Sequence, residues 1–159
     1  MAIQKIIPST RMGMNATPSE SAPESASETF LEGAILVENA GRAEEGGVNP
    51  TDILGVAAEP GDNNSVAGAG TVRYIPAIPS LQFEGTLSDD VGGGYTSLAA
   101  DLLQEFGLTK ATNNNYFVDK SKTGANGRVR VRRFKDPVGT VDARVLFEFS
   151  FDHMIQDKT

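Results

Sequence analysis

From residue 29 onward the chain breaks into short apolar runs, most of them of strand length and several alternating with a period of two. Leu81, Phe83, Gly85 and Leu87 alternate with Gln82, Glu84, Thr86 and Ser88, the pattern of a half-buried strand. Val145, Phe147, Phe149 and Phe151 share one face of 144–151 (RVLFEFSF). Further strands are predicted at 31–37, where Leu31, Gly33, Ile35 and Val37 align, and at 53–58, 72–76, 116–119 and 128–134. Pro76 favours the end or edge of its strand. Glycine, proline and asparagine clusters such as Gly41–Pro50 and Pro60–Asn64 separate the runs as loops and turns. One helix is predicted, over 97–106 (SLAADLLQEF), with Leu98, Leu102 and Phe106 on one face, Ser97 as its cap and Gly107 as its stop. Many short strands and one short helix predict a mainly β domain, a small β-sandwich or β-barrel.

The first 27 residues read differently. Residues 13–28 (GMNATPSESAPESASE) are rich in serine, proline and glutamate and show no apolar periodicity, so alone they do not bury enough surface to offset their ordering entropy. The expected organisation is an extended N-terminal arm over 1–27 and a β domain over 28–159. The arm is expected to strap the protein to a partner, adding a strand to that partner's sheet edge.

Composition narrows the function. No cysteine occurs among the 159 residues, which removes disulfides and cysteine-ligated metal sites. No stretch approaches the roughly 18 apolar residues of a membrane helix, and 1–9 (MAIQKIIPS) lacks the pattern of a signal peptide. Synthesis in a cytoplasm and no membrane partner are the expectations. The net charge of −7 opposes nucleic acid as the main partner, because phosphate binding needs a basic footprint. Up to Asp90 the chain carries 4 basic and 13 acidic residues, and from Val91 onward 10 basic and 8 acidic. An asymmetry of that kind can orient docking, and it also arises from ordinary surface variation.

No constellation points to catalysis or to a cofactor. His153, the single histidine, lies in the polar tail HMIQDKT, poorly placed to serve a nucleophile. Asp89 and Asp90 precede Gly92–Gly94, but the spacing matches no twelve-residue calcium loop. The glycine runs form no phosphate-cradling motif. The strongest chemical feature is Arg128, Arg130 and Arg132, which alternation puts on one face of a strand, with Arg133 and Lys135 nearby. Two readings stand: a basic patch that docks on an acidic surface, or a solvated strand face paired with acidic neighbours such as Glu148 or Glu84.

Two stretches carry a resemblance. Residues 30–59 place Gly33, Ile35, Val37, Ile53, Leu54, Gly55, Val56 and Ala57 in a pattern of two strands joined by a loop, which resembles the opening of bacteriophage capsid cement or decoration proteins. Residues 106–149 resemble a C-terminal block of phage head proteins through Gly107, Leu108, Thr109, Tyr116, Val118, Asp119, Val129, Val131, Asp136, Pro137, Val138, Gly139, Arg144 and Val145. Together they cover about half the chain. The resemblance implies a compact, tulip-like β domain on the outer capsid surface of a virion, often trimeric, clamping major capsid proteins against internal pressure. The implied partners are the major capsid protein and further copies of the chain. Candidate contacts are Ile3, Ile6, Ile7, Arg11, Met12 and Met14 of the arm together with Arg128, Arg130 and Arg132. The alternative is a tail or fibre accessory domain or a carbohydrate-binding β module, in which Tyr74, Tyr95 and Tyr116 would replace the absent tryptophan for sugar stacking.

Overall fold

The computed structural model describes residues 3–9, 17–79, 81–89 and 94–155. The protein is mainly β, with eleven strands named among these residues in two sheets. In chain order they are β1 (Ile7–Pro8), β2 (Glu20–Pro23), β3 (Ile35–Asn39), β4 (Arg42–Glu45), β5 (Ile53–Ala57), β6 (Thr71–Pro76), β7 (Phe83–Ser88), β8 (Glu105–Lys110), β9 (Tyr116–Asp119), β10 (Val129–Phe134) and β11 (Arg144–Phe149).

The first sheet runs β1-β7-β11-β10-β8-β9 and closes on itself, because β9 also pairs with β7, in parallel, through Leu87 with Val118 and Ser88 with Asp119. Five strands therefore form a barrel, and β1 adds antiparallel to β7 with Ile7 opposite Glu84. The second sheet runs β2-β6-β5-β3-β4, all antiparallel. It too curls round, since Glu24 bridges Ala43 and Ser25 N donates to the Ala43 carbonyl at 2.9 Å, drawing the end of β2 against β4.

One apolar cluster spans both sheets. Ile35, Ile53, Val56 and Val72 of the second pack in the same core as Phe83, Phe106, Val131 and Phe147 of the first. Alternation explains the aromatic part: Phe147 and Phe149, two apart on β11, both reach Phe83, with ring centroids 6.0 and 5.1 Å away. Gly55, on β5, is fixed by close approach, since a Cβ there would lie 2.0 Å from the Ile75 carbonyl oxygen on β6. Phe151, grouped with this face by period, is instead exposed, because β11 ends at Phe149 and the chain turns into a short 3-10 segment at 151–153.

The described part of 1–27 is not a free arm. Ile3 packs with Ala111 and Phe117, and its carbonyl accepts from the side-chain amides of Asn113 and Asn115 at 2.8 and 3.2 Å. Ile6 lies in the main core, β1 pairs with β7, and β2 pairs with β6 over Glu20–Pro23. A segment too polar to order itself is ordered by the hydrogen bonds that two sheet edges offer it.

The expected helix is also absent. Only Ala99–Asp101 makes a 3-10 turn, while Glu105–Lys110, taken in part for the end of the helix, is β8. Asp101 accepts from the Leu98 N–H at 2.8 Å, and Leu103 adopts φ of +64°, which breaks the right-handed path. Gly107 stops nothing; it sits inside β8, opposite Asp119. Strand β4, inside the stretch 41–50 that reads as a loop, is half-buried and pairs across a tight turn with β3.

Candidate interaction surface

The arginine strand is β10. Val129 and Val131 point into the core while Arg130 and Arg132 point outward. Arg130 stands opposite Glu148 in the β10–β11 register and makes an ion pair with Glu105 at 2.8 Å; Arg132 pairs with Glu148 at 3.5 Å. The pairing continues across the sheet: Lys135 and Arg144 reach Glu84 at 3.5 and 3.6 Å, and Arg144 reaches Asp136 at 2.7 Å. The Arg144 guanidinium and backbone N–H together hold the Asp136 carboxyl below the usual carboxylate range. This surface is a ladder of alternating charge, whose solvated pairs add little to stability. Beside it, an open groove of about 600 Å³ runs between Glu105, Arg130, Arg132, Glu148, Phe151 and His153.

Arg128 does not belong to that face. It precedes β10 and is only 7% exposed. Its Nε donates to the Pro50 carbonyl at 2.7 Å, and one terminal nitrogen donates to the carbonyls of Ala125 and Gly127 at 3.1 and 2.9 Å. The same nitrogen lies 3.2 Å from His153 Nε2. Alternation misplaced it because the period of two holds only where the backbone is a strand, and β10 begins at Val129, after the 3-10 turn Gly124–Asn126. Among the arm's candidate contacts, Ile3 and Ile6 are buried inside the protein and Ile7 is exposed. Arg11, Met12 and Met14 lie outside the described residues.

A surface that the sequence reading missed lies on two loops at one end of the barrel. Leu98 and Leu103 are 52% and 55% exposed, and Leu102, Val138 and Val141 are exposed as well. The loops are tied together. Ser97 N donates to the Thr140 carbonyl at 3.0 Å, Gly139 N donates to the Ser97 carbonyl at 2.9 Å, and Thr96 bridges Val141. Asp101, buried beneath, accepts from the Tyr95 hydroxyl at 2.9 Å and pairs with Lys120 at 3.1 Å. Burial and the Asp101 carboxylate push the Tyr95 hydroxyl up to about 12. Five exposed apolar side chains on two mutually bonded loops distinguish this end of the barrel. The signal was present in 97–106, but its leucines also fit the period of a helix, whose inner face would have hidden them.

Two buried aspartates are held by hydrogen bonds within the fold. Asp119 accepts from Thr109, Ser121 and Lys122, and Asp142 from Ser88, Gly94 and Tyr95. Among the described residues no group of three or more histidines, aspartates and glutamates is arranged to hold a metal ion, and no helix is long and apolar enough to cross a membrane. Tyr74 and Tyr116, offered above for sugar stacking, are buried; their hydroxyls meet Glu20 at 2.8 Å and the Gly47 N–H at 3.1 Å. The chain matches no protein-family model, no curated protein and no solved structure.

Proposed function

We propose that this chain is a non-catalytic structural protein that cements a bacteriophage capsid, docking on the outer surface of the head and bridging major capsid proteins. The observation that carries the reading is the apolar end of the barrel, where Leu98, Leu102, Leu103, Val138 and Val141 are exposed on mutually bonded loops. It is supported by the two stretches that resemble cement and head proteins, which fall on β3 to β5 and on β8 to β11. In this reading the apolar end makes the contact and the charge ladder of β10 and β11 forms a polar rim that orients it. Self-association, as a trimer, belongs to the same proposal.

The test is binding to undecorated heads of the source phage. The purified protein should attach at a saturable stoichiometry and raise the temperature at which heads come apart, since a ligand of the assembled state stabilises it by mass action. Leu98→Asp with Leu103→Asp should abolish attachment while leaving the melting temperature of the free protein within a few degrees. Failure of the parent protein to bind those heads rejects the proposal; normal attachment by the double variant rejects this surface.

A further inference from the structure

One buried carboxylate departs from the pattern of the others. Glu24, where β2 leaves its sheet, is 1% exposed. Its Oε1 accepts from the Asp62 N–H at 2.9 Å, but its Oε2 is buried without a hydrogen-bond partner. Nor does Glu24 form an ion pair among the described residues. Its backbone is fully engaged: the N–H donates to the Gly70 carbonyl at 3.0 Å, the carbonyl accepts from the Gly68 N–H at 2.8 Å, and the residue bridges Ala43 of β4. The side chain is therefore held in place by the contact that closes the second sheet.

What faces that side chain is more negative charge. The Asp62 and Glu28 carboxylates both act on it as like charges. Asp62 is itself exposed, its Oδ1 accepts from the Asn64 N–H at 2.8 Å, and its Oδ2 occupies the space a Cβ on Gly70 would need, 1.6 Å away. On β4, Glu44 accepts from Ser25 and Asn39, and Arg42 places its Nε beside Gly68. A buried carboxylate oxygen set against a second carboxylate, with no donor, is strongly unfavourable unless a proton lies between them.

We propose that Glu24 and Asp62 share one proton in the folded protein, and that this carboxyl–carboxylate bond is a pH-sensitive latch on the closure of the second sheet. The proposal is independent of the attachment reading. Burial, and then the charges of Asp62 and Glu28, raise the Glu24 carboxyl above its ordinary range, although the Asp62 N–H acts the other way. An acid raised in the folded state contributes stability that is complete below its unfolded value and is lost as pH rises through the folded value. Alkaline conditions therefore loosen β2 and the loop 61–70 while the barrel of β7 to β11 stays closed.

The test uses the full chain: side-chain carboxyl carbon shifts of Glu24 and amide hydrogen exchange, corrected for intrinsic rates, from pH 4 to 9. The expected result is a Glu24 titration above the ordinary carboxylate value of about 4.3. From about 4.3 up to that titration, the opening equilibrium reported by the Gly68 and Gly70 amides should grow by up to about tenfold per pH unit, and above it the profile should level off. Glu24→Gln, whose amide can donate to Asp62, should keep these amides protected at high pH and flatten the profile. A Glu24 carboxyl that titrates at or below the ordinary value overturns the latch without any variant. Asp62→Asn, which supplies a donor, should lower the Glu24 titration, and an unchanged titration also overturns it. Protection restored at pH 8 by calcium or magnesium chloride, and not by sodium chloride, would mean that the pair holds a divalent cation instead of a proton.

Discussion

Arg128 donates from Nε to the backbone carbonyl of Pro50 at 2.7 Å, so a cation at the start of β10 is buried against the loop that leads from β4 to β5. The joint between the two sheets gathers around this bond. Asn49 N donates to the Leu108 carbonyl at 2.7 Å, Met154 bridges Ile53, and Lys110 pairs with Glu45 at 2.8 Å.

Removing the guanidinium strands a buried carbonyl and opens a gap, whereas the neighbouring arginines lose only solvated pairs. Arg128→Ala should therefore lower unfolding stability by about 2–3 kcal/mol. Arg130→Gln and Arg132→Gln should each cost less than about 1 kcal/mol. Urea denaturation of the three variants checks the ranking, and equal losses would contradict it.

Deleting residues 1–9 should destabilise the whole protein. Ile3 and Ile6 are buried, and burying such a side chain contributes about 1.5–3 kcal/mol. A loss of several kcal/mol in a denaturant titration is expected, not the unaltered core that a loose arm would leave behind.

Acid should act on the first barrel in the sense opposite to the Glu24 latch. Burial alone would raise the Asp119 carboxyl, but hydrogen bonds from Lys122, Ser121 and Thr109 outweigh it and hold the group below its usual range. A depressed acid contributes stability that is present above its unfolded value and lost as pH falls through the folded one. Asp136, held down by Arg144, behaves alike. Thermal melts should show stability falling below about pH 4, the ordinary carboxylate value. Asp119→Asn should lower stability at pH 7 and flatten that acid limb.

If the charge ladder is a rim around an apolar contact, its removal should alter the rate of attachment more than its strength. Arg130→Gln combined with Arg132→Gln should slow association with heads at low salt and match the parent at high salt, where exposed charges are screened within a few ångström. Stopped-flow light scattering across salt concentrations measures this. Loss of attachment at every salt concentration would place the arginines at the centre of the contact.

Of the strands that read correctly from sequence, Val129 to Phe134 has an alternation that reflects burial on one face, whereas Phe83 to Ser88 and Tyr116 to Asp119 are buried on nearly every residue and are legible by their apolar and aromatic content. What could not be read depends on partners distant in sequence. The serine-rich β2 becomes a strand only because β6 offers it an edge, and Gly107 belongs in β8 because Asn49 and Lys122 crowd the space where a Cβ would go. The leucines of 97–106 satisfy a helical period and are used otherwise, since Asp101 takes the Leu98 N–H and Leu103 turns left-handed. The outward arginines of β10 were legible, and the inward turn of Arg128 was not, because it answers to Pro50, 78 positions earlier.

The pairing of β1 with β7 also sets a timetable for synthesis. The Gln4 N–H meets the Thr86 hydroxyl across 82 residues, and the entire second sheet is translated between them. At roughly 5–20 residues per second, the N-terminal segment waits about 4–16 s on the ribosome before β7, the strand it pairs with, exists. The second sheet is complete by then, lacking only the β7–β11 barrel against which its core packs. The leading residues must stay unpaired and soluble throughout that interval, which the charged and polar neighbours Gln4 and Lys5 help them to do.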